Sequence, residues 1–344
     1  MPSRQDYDMK PSIKQISDIT GFSAATVSNA LNHKKGVNRE TAEEIFRIAR
    51  EIGYLDANTI SKIKLLIFKK NGLIIDDTPF FTALIDGFEK ECRESGYEMA
   101  LGTVDQRQPD YEEQVRLAMQ DPDTAVVLLG TELDKEDLGL FLKAPCPLML
   151  LDYWSHNMDF SAVVINNRDS MRKAVRYLVS KGHRRIGYLK GDFRILGFRQ
   201  RETGFREAMK EAGLSVENGG SITLSTTMDG ACRDLKRYLE QEHGELPTAF
   251  VAENDMIALG AMRAFQAEGI RIPEDVSIIG FDDLPFCEIS YPRLTSLRVE
   301  KQEMGALAVR RVIEIVKKAP KIHTKTEVCT EFIERDSVKD LGGE

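Results

Sequence analysis

Residues 12–31 read SIKQISDITGFSAATVSNAL, two short apolar-periodic stretches joined at Thr20-Gly21. Ile13, Ile16 and Ile19 are expected on one face of a first helix, and Gly21 supplies the positive φ that a tight interhelical turn requires. Ser23 offers an N-cap hydroxyl to a second helix, with Val27, Ala30 and Leu31 facing inward. Asn38 then caps a third, whose buried stripe is Ala42, Ile45, Phe46, Ala49 and Ile52 and whose stop is Gly53. The pattern is that of a helix-turn-helix unit, with a generic three-helix bundle as the plain alternative. If it reads DNA, the two alanines at the leading end of the second helix, Ala24 and Ala25, stand where long polar side chains are usual.

From Ile63 onward the chain alternates short apolar runs with amphipathic stretches. The runs are IKLLIF (63–68), AVVLL (125–129), PLMLL (147–151), AVVI (162–165), RIGYL (185–189), SITL (221–224), TAFVA (248–252) and VSIIGF (276–281). Helices are expected over 80–95, 110–120, 168–181, 199–212, 229–242, 255–268 and 301–318. Such alternation implies parallel sheets covered on both faces, and the number of units implies two doubly wound sheets rather than one.

The 344 residues carry a net charge of -8, are 42% hydrophobic and 30% charged, and include no apolar run long enough for a membrane span. The opening MPSRQDYDMK lacks the apolar core of a signal peptide, so a cytoplasmic location is expected. The acidic total hides a local excess: Lys10, Lys14, Lys34, Lys35 and Arg39 against Asp18 and Glu40 make residues 10–40 net positive, the footprint that matters for phosphate contact. Cys92, Cys146, Cys232, Cys287 and Cys329 are scattered, odd in number and without C-x-x-C spacing, which argues against a disulfide framework or zinc cluster. His33, His156, His183, His243 and His323 show no ligand spacing either, so no metal and no cofactor is expected.

In doubly wound folds ligands sit beyond the carboxyl ends of the strands. Those turns contain no G-x-G-x-x-G, no P-loop and no G-x-S-x-G, and the isolated S-x-x-K at 61–64 lacks its companion motifs, so no enzyme is expected and no catalytic residue assigned. They hold instead Thr78-Pro79-Phe80-Phe81, Asp152-Tyr153-Trp154, Asn166-Asn167, Arg199-Gln200-Arg201, Glu253-Asn254-Asp255 and Phe281-Asp282-Asp283. Carboxylates, amides and guanidinium groups grip adjacent hydroxyls in pairs while aromatic faces cover a ring, which is the inventory of a polyhydroxyl site. Taken singly, Asn254 or Asp255 could instead cap the helix beginning MIALGAM, and Phe80 and Phe81 could be core.

The sequence resembles the lac repressor/gal repressor family of bacterial transcription regulators. The resemblance is carried by SIKQISDITGFSAATVSNALN with VNRETAEEIFRIAREIGY, TPFF (78–81), GHRRIGYL (182–189), RETGFREAM (201–209), ENDMIALGAMRAF (253–265), GFDDLPF (280–286) and YPRLTSLR (291–298). It implies a flexible tail (1–10), a DNA-binding headpiece (11–54), a hinge (55–63) and an effector-binding and dimerisation core (64–340) with the fold of periplasmic sugar-binding proteins. The core divides into one subdomain of 64–165 with 296–326 and a second of 166–295 with 327–340. The absence of a four-helix tail after Phe332-Ile333-Glu334-Arg335 suggests a homodimer.

Carried over residue by residue, the resemblance implies base-facing Ala24, Ala25 and Asn29, with Ser23, Thr26, Ser28 and Asn32 also at the DNA. Close approach and packing on thymine methyls would then replace hydrogen bonding at the alanines, leaving Asn29 to pair with an adenine, or else to touch phosphate alone. The hinge departs from the family pattern: Asp56 stands where proline is common, Ile60 and Ile63 where alanine and leucine are common. Ile63 is the candidate minor-groove wedge, although it also reads as the start of a strand. In the core, Arg201, Asn254 and Asp282 are implied effector contacts, with Phe81, Asn166 and Asp255 beside them and Trp154 as a stacking surface. The function implied is a repressor of carbohydrate-utilisation genes that binds a palindromic operator and answers to a small sugar. A sugar receptor for transport shares the core fold but would have no use for the headpiece.

Overall fold

The structure, a computed structural model, describes residues 11–31, 37–52, 54, 60–76, 79–121, 123–154, 157, 159–217, 219–241 and 245–342. The tail, Asn32, Lys34, Lys35, Gly53, Thr78 and most of the expected hinge (55–59) lie outside the described residues.

Three helices form the N-terminal unit: α1 (Ile13–Thr20), α2 (Ala24–Leu31) and α3 (Arg39–Glu51). Each starts on a side-chain cap: Ser12 accepts from the Gln15 N–H, Ser23 from Thr26 and Asn38 from Thr41. Gly21, at φ 74°, ends α1 and turns the chain into α2. Ile16, Val27, Ala30, Ile45, Ile48 and Ala49 close a small apolar core. Ile19 does not join it and is 52% exposed, because six residues on from Ile13 is about 240° round the helix.

The core is built on two sheets. The strands are β1 (Lys62–Lys69), β2 (Glu98–Asp105), β3 (Thr124–Leu129), β4 (Leu148–Leu151), β5 (Ala162–Ile165), β6 (Ile186–Gly191), β7 (Ser221–Leu224), β8 (Ala249–Ala252), β9 (Ser277–Asp282), β10 (Thr295–Arg298), β11 (Lys325–Val328) and β12 (Glu331–Ile333). The first sheet runs β11-β5-β4-β3-β1-β2 and the second β12-β10-β9-β8-β6-β7, six strands each. Every pairing is parallel except β10 with β12. The covering helices are α4 (Phe80–Glu94), α5 (Tyr111–Ala118), α6 (Asn167–Ser180), α7 (Leu196–Glu211), α8 (Met228–Leu239), α9 (Asp255–Ala267), the short α10 (Phe286–Ile289) and α11 (Lys301–Lys318). Strands β3, β4, β5, β8 and β9 are buried along their whole length, which is why their sequences are continuous apolar runs.

The chain passes between the sheets after β5, after β10 and after β11. The boundaries expected at 296 and 326 therefore fall inside strands: β10 stays in the second sheet to Arg298, and β11 runs to Val328 in the first. Backbone pairing moves them, since Thr295–Arg298 ladders with β9 and Lys325–Val328 with β5. The expected wedge residue is also corrected. Ile63 lies inside β1, opposite Met99 and Ala125 and fully buried, and Ile60 beside it is 3% exposed. A side chain that closes the first subdomain's core in this way is not available to a DNA groove.

After its second crossing the chain returns as α11, which packs along α4 closely enough that only glycine fits at two points. A Cβ on Gly87 would sit 2.0 Å from the Gln302 carbonyl oxygen, and one on Gly305 would sit 2.2 Å from that of Leu84. Gly87→Ala must force the two helices apart, and we expect it to cost about 1–3 kcal/mol. The check is a lowered urea midpoint at unchanged m.

Candidate functional site

At the leading end of α2, Ser23, Ala24 and Ala25 are exposed, while Thr26, Ser28 and Asn29 are half-buried on the same short helix. The hydroxyls of Ser23 and Thr26 lie 2.8 Å apart, so they hold one another as well as the helix start. The alanine side chains leave the helix backbone uncovered there.

The carboxyl ends of the two sheets carry the polar groups of the core. In the first sheet β4 ends at Asp152, held at φ 59°, and the Thr131 hydroxyl after β3 donates to its Oδ2 at 2.7 Å. In the second sheet β9 ends at Asp282 and Asp283, at φ 110° and 52°, both outside the region non-glycine residues prefer. Backbone strain of this kind persists only where neighbours impose it, and here they are visible. Asp255 accepts from the Leu284 N–H at 2.8 Å and from the Ser296 hydroxyl at 2.7 Å. Arg298 and Arg335 grip the Asp283 carboxylate at 2.8 and 2.6 Å. Lys301 donates to the carbonyls of Asp282, Asp283 and Val299.

Arg201, projecting from α7, is buried. Its guanidinium carbon stands 3.5 Å from the centre of the Phe281 ring, its Nε donates to Asn167 Oδ1 at 2.7 Å, its Nη1 to the Glu253 carbonyl, and its Nη2 lies 3.6 Å from Asp282 Oδ1. Among the described residues the Asp282 carboxylate accepts no hydrogen bond, and this ion pair is its nearest charged neighbour. Burial pushes both cleft carboxylates up: Asp152 rises to about 6, with Thr131 and Arg201 pulling back and the charge of Asp282 adding to the rise. Asp282 rises for the same first reason, against the pull of Arg201 and Lys301, and Asp255 rises through burial and then the neighbouring Asp282. The charges of Arg201 and Asp282, both in the second subdomain, act on Asp152 of the first.

The other residues singled out from sequence divide. Asn254 sits in the same turn region, but its Oδ1 caps α9 through the Ile257 N–H at 3.0 Å, leaving its amide N–H groups for any other partner. Asp255 lies behind the Asp282 turn as its support and is fully buried. Asn166 caps α6 through Asp169, and it is its neighbour Asn167 that meets Arg201. Phe81 packs into the first subdomain's core edge-on to Phe80, and it is Phe80 whose ring faces Lys301, at 5.7 Å. Trp154 is half-buried with Lys325 5.6 Å over its ring. Asp152 and Asn167 stood in the strand-end clusters without being assigned to the ligand, and Thr131 and Lys301 were not singled out. The strand-end rule, applied to the turn after β3, would have found Thr131. A groove of about 870 Å³ beside α5, lined by Tyr111, Arg116, Met119 and Lys143, holds none of these residues.

Among the described residues no group of His, Cys, Asp or Glu side chains is arranged to hold a metal, and no helix is long and apolar enough to cross a membrane. The cysteines are free thiols.

Residues 12–56 match the family of bacterial regulatory proteins of the lacI type, and residues 175–338 match a periplasmic binding protein-like domain. The chain belongs to the lacI family of bacterial regulatory proteins. It is 29% identical over 336 residues to the HTH-type transcriptional repressor PurR of Vibrio cholerae serotype O1, covering 96% of this chain and 98% of that one. Among solved structures, the transcriptional regulator CelR–cellobiose complex superimposes with a TM-score of 0.72 at 24% identity, over 95% of this chain and 99% of that one. The lac repressor dimer bound to operator and the anti-inducer ONPF does so at 0.72 and 18%, over 96% and 100%. This lacI-family chain is thus a DNA-binding transcriptional repressor with a ligand-binding core.

Between the ordinary 3.8 of an aspartate and about 6, the folded chain holds a proton on Asp152 that the unfolded chain has released. Raising pH through that window therefore removes stability, the opposite of a salt-bridged carboxylate. Asp152→Asn abolishes this titration while Asp255 and Asp282 keep theirs. Urea midpoints followed across the window should fall less steeply in the variant, and equal slopes would contradict the assignment.

Proposed function

We propose that this repressor controls carbohydrate-utilisation genes, and that a small sugar bound between the two core subdomains weakens its hold on a palindromic operator. The observation that carries this reading is the Asp282 carboxylate, 8% exposed and, among the described residues, without a hydrogen-bond donor, whose charge acts on Asp152 of the other subdomain. A buried carboxylate in that condition is completed by a ligand that brings its own donors, and a vicinal pair of hydroxyls does so. Arg201 and the amide of Asn254 supply donors to ring or hydroxyl oxygens, and Phe80 and Trp154 supply aromatic faces. The CelR neighbour, of the same fold, is a complex with cellobiose. A transport receptor of this core fold would leave the capped three-helix unit without a task.

On the DNA side, Ala24 and Ala25 let α2 approach the base edges closely and pack on thymine methyls, Asn29 reads adenine, and Ser23, Thr26 and Ser28 reach phosphates. Operator DNA makes the cytoplasm the working compartment. Two copies are needed to read a palindrome. Ile289 and Tyr291, 80% and 91% exposed after β9, and Leu101, 56% exposed on the edge strand β2, supply apolar surface on both subdomains for a homodimer.

The test is selection of duplexes from a random pool by the full chain, followed by titration of the winning palindrome with sugars at several salt concentrations. No preference for any palindrome over random DNA, with and without sugar, would end the proposal. Asn29→Ala is expected to lose about 1–3 kcal/mol at one A·T position of each half-site. Equal loss against every operator variant would assign Asn29 to phosphate instead.

A further inference from the structure

Each of the three crossings between the sheets is bridged by a side chain, and two of these bridges end on residues placed at the effector. At the first crossing, Asn167 follows the end of β5 by two residues and is buried. Its Nδ2 donates to the carbonyl of Ile165, the last residue of β5, at 3.2 Å and to Gln200 Oε1 at 3.3 Å, while its Oδ1 accepts from Arg201 Nε at 2.7 Å. Arginine only donates, so the amide has one orientation, and a single side chain joins a strand of the first sheet to α7 of the second subdomain. At the second crossing, Lys301 opens α11, where the helix dipole disfavours a cation. The carbonyls of Asp282, Asp283 and Val299 hold it there. Its neighbour Gln302 is fastened to α4 through Asp86 Oδ2 at 2.7 Å. At the third, Thr330 donates to Ser170 Oγ at 2.8 Å, a bond that involves neither Arg201 nor Asp282.

We infer that Asn167 and Lys301 are positioning residues that carry effector occupancy to the first and second crossings, and so to the spacing of the two subdomains. This rests on the effector reading above and adds the route by which the site is read. The tethers and the ligand use different atoms. Asn167 takes Nε of Arg201 and not Nη2, which stands 3.6 Å from Asp282 Oδ1, and Lys301 takes the Asp282 carbonyl and not its carboxylate. A ligand that engages Nη2 and the carboxylate therefore displaces neither tether, and any movement it imposes on Arg201 or on the Asp282 turn is passed to the joint. Coupling of this kind is reciprocal, so the same two bonds let operator binding act back on the cleft.

The experiment measures the operator Kd of the full chain, on a duplex selected from a random pool by the wild-type protein, without sugar and at saturating glucose, galactose, ribose or cellobiose. Asn167→Asp keeps the acceptor for Arg201 but loses the donor to Ile165, and Lys301→Met keeps the stem but loses the N–H groups. Thr330→Val removes a crossing bond that involves no effector residue. Without sugar, the first two variants are expected to bind the operator about threefold or more weaker, because a core that no longer fixes its crossings presents the headpiece less pre-organised. With a sugar that acts on the wild-type chain, the ratio of the two operator constants is expected to move towards one by about threefold or more in both, and to stay within about twofold in Thr330→Val. An unchanged ratio in either variant overturns the assignment of its residue, and an equal fall in Thr330→Val overturns both, while the sugar reading stands. If no sugar acts on the wild-type chain, the sugar reading falls, and the sugar-free constants decide the tethers: weakened, they keep the assignment, and unchanged, they overturn it.

Discussion

The Asp282–Asp283 turn holds two consecutive non-glycine residues at positive φ, a conformation that costs on the order of 1–3 kcal/mol for each. It persists because Asp255, Ser296, Arg298, Lys301 and Arg335 fix its backbone and second carboxylate. These side chains come from α9, β10, α11 and the segment after β12, so the turn is assembled from parts distant in sequence. Its consequence is a first carboxylate, that of Asp282, to which the described residues offer no hydrogen bond. Lys301 gives the turn a second property. It is the first residue of α11, the helix that returns to the first subdomain and packs on α4 through Gly87 and Gly305. The grip on Asp282 is therefore shared between the subdomains, and a shift of one against the other is felt at that carbonyl.

Much of the scaffold was legible because burial on both faces writes continuous apolar runs, as in AVVLL and AVVI. The missed strands are those lacking that pressure. β2 reads EMALGTVD at the sheet edge with mostly exposed or half-buried residues, β11 reads KTEV, and β12 is only three residues long, with none of them fully buried. The same limit applies to the site. Arg201 and Asp282 were legible through the resemblance and stand together at 3.6 Å. Asn166 and Asn167 were separable only by structure, since one residue at a helix start is about a 100° turn of the side chain. Asp152 was visible as a strand-end acid, but its meaning comes from the opposing sheet, and no local pattern encodes which turn faces which. The wedge at Ile63 failed for a related reason: the headpiece motif ends so close to β1 that one residue was claimed by both, and the sheet ladder decides for the core.

A two-state reading of repression can be bounded from these contacts. Moving a population from 1:99 to 99:1 requires about 5.5 kcal/mol of differential binding between the two arrangements. A hydrogen bond to a charged group contributes about 1.5–3 kcal/mol net, so two or three bonds formed in only one arrangement suffice. Under the proposed function Asp152 and Asp282 would meet that condition, since they belong to different sheets and a ring that donates to both fixes one spacing of the subdomains. The charge of Asp282 raises the proton affinity of Asp152, against the pull of Arg201, and two like charges resist the same approach. On that proposed reading, ligand and repulsion bias one coordinate in opposite directions, which is what a sensor needs.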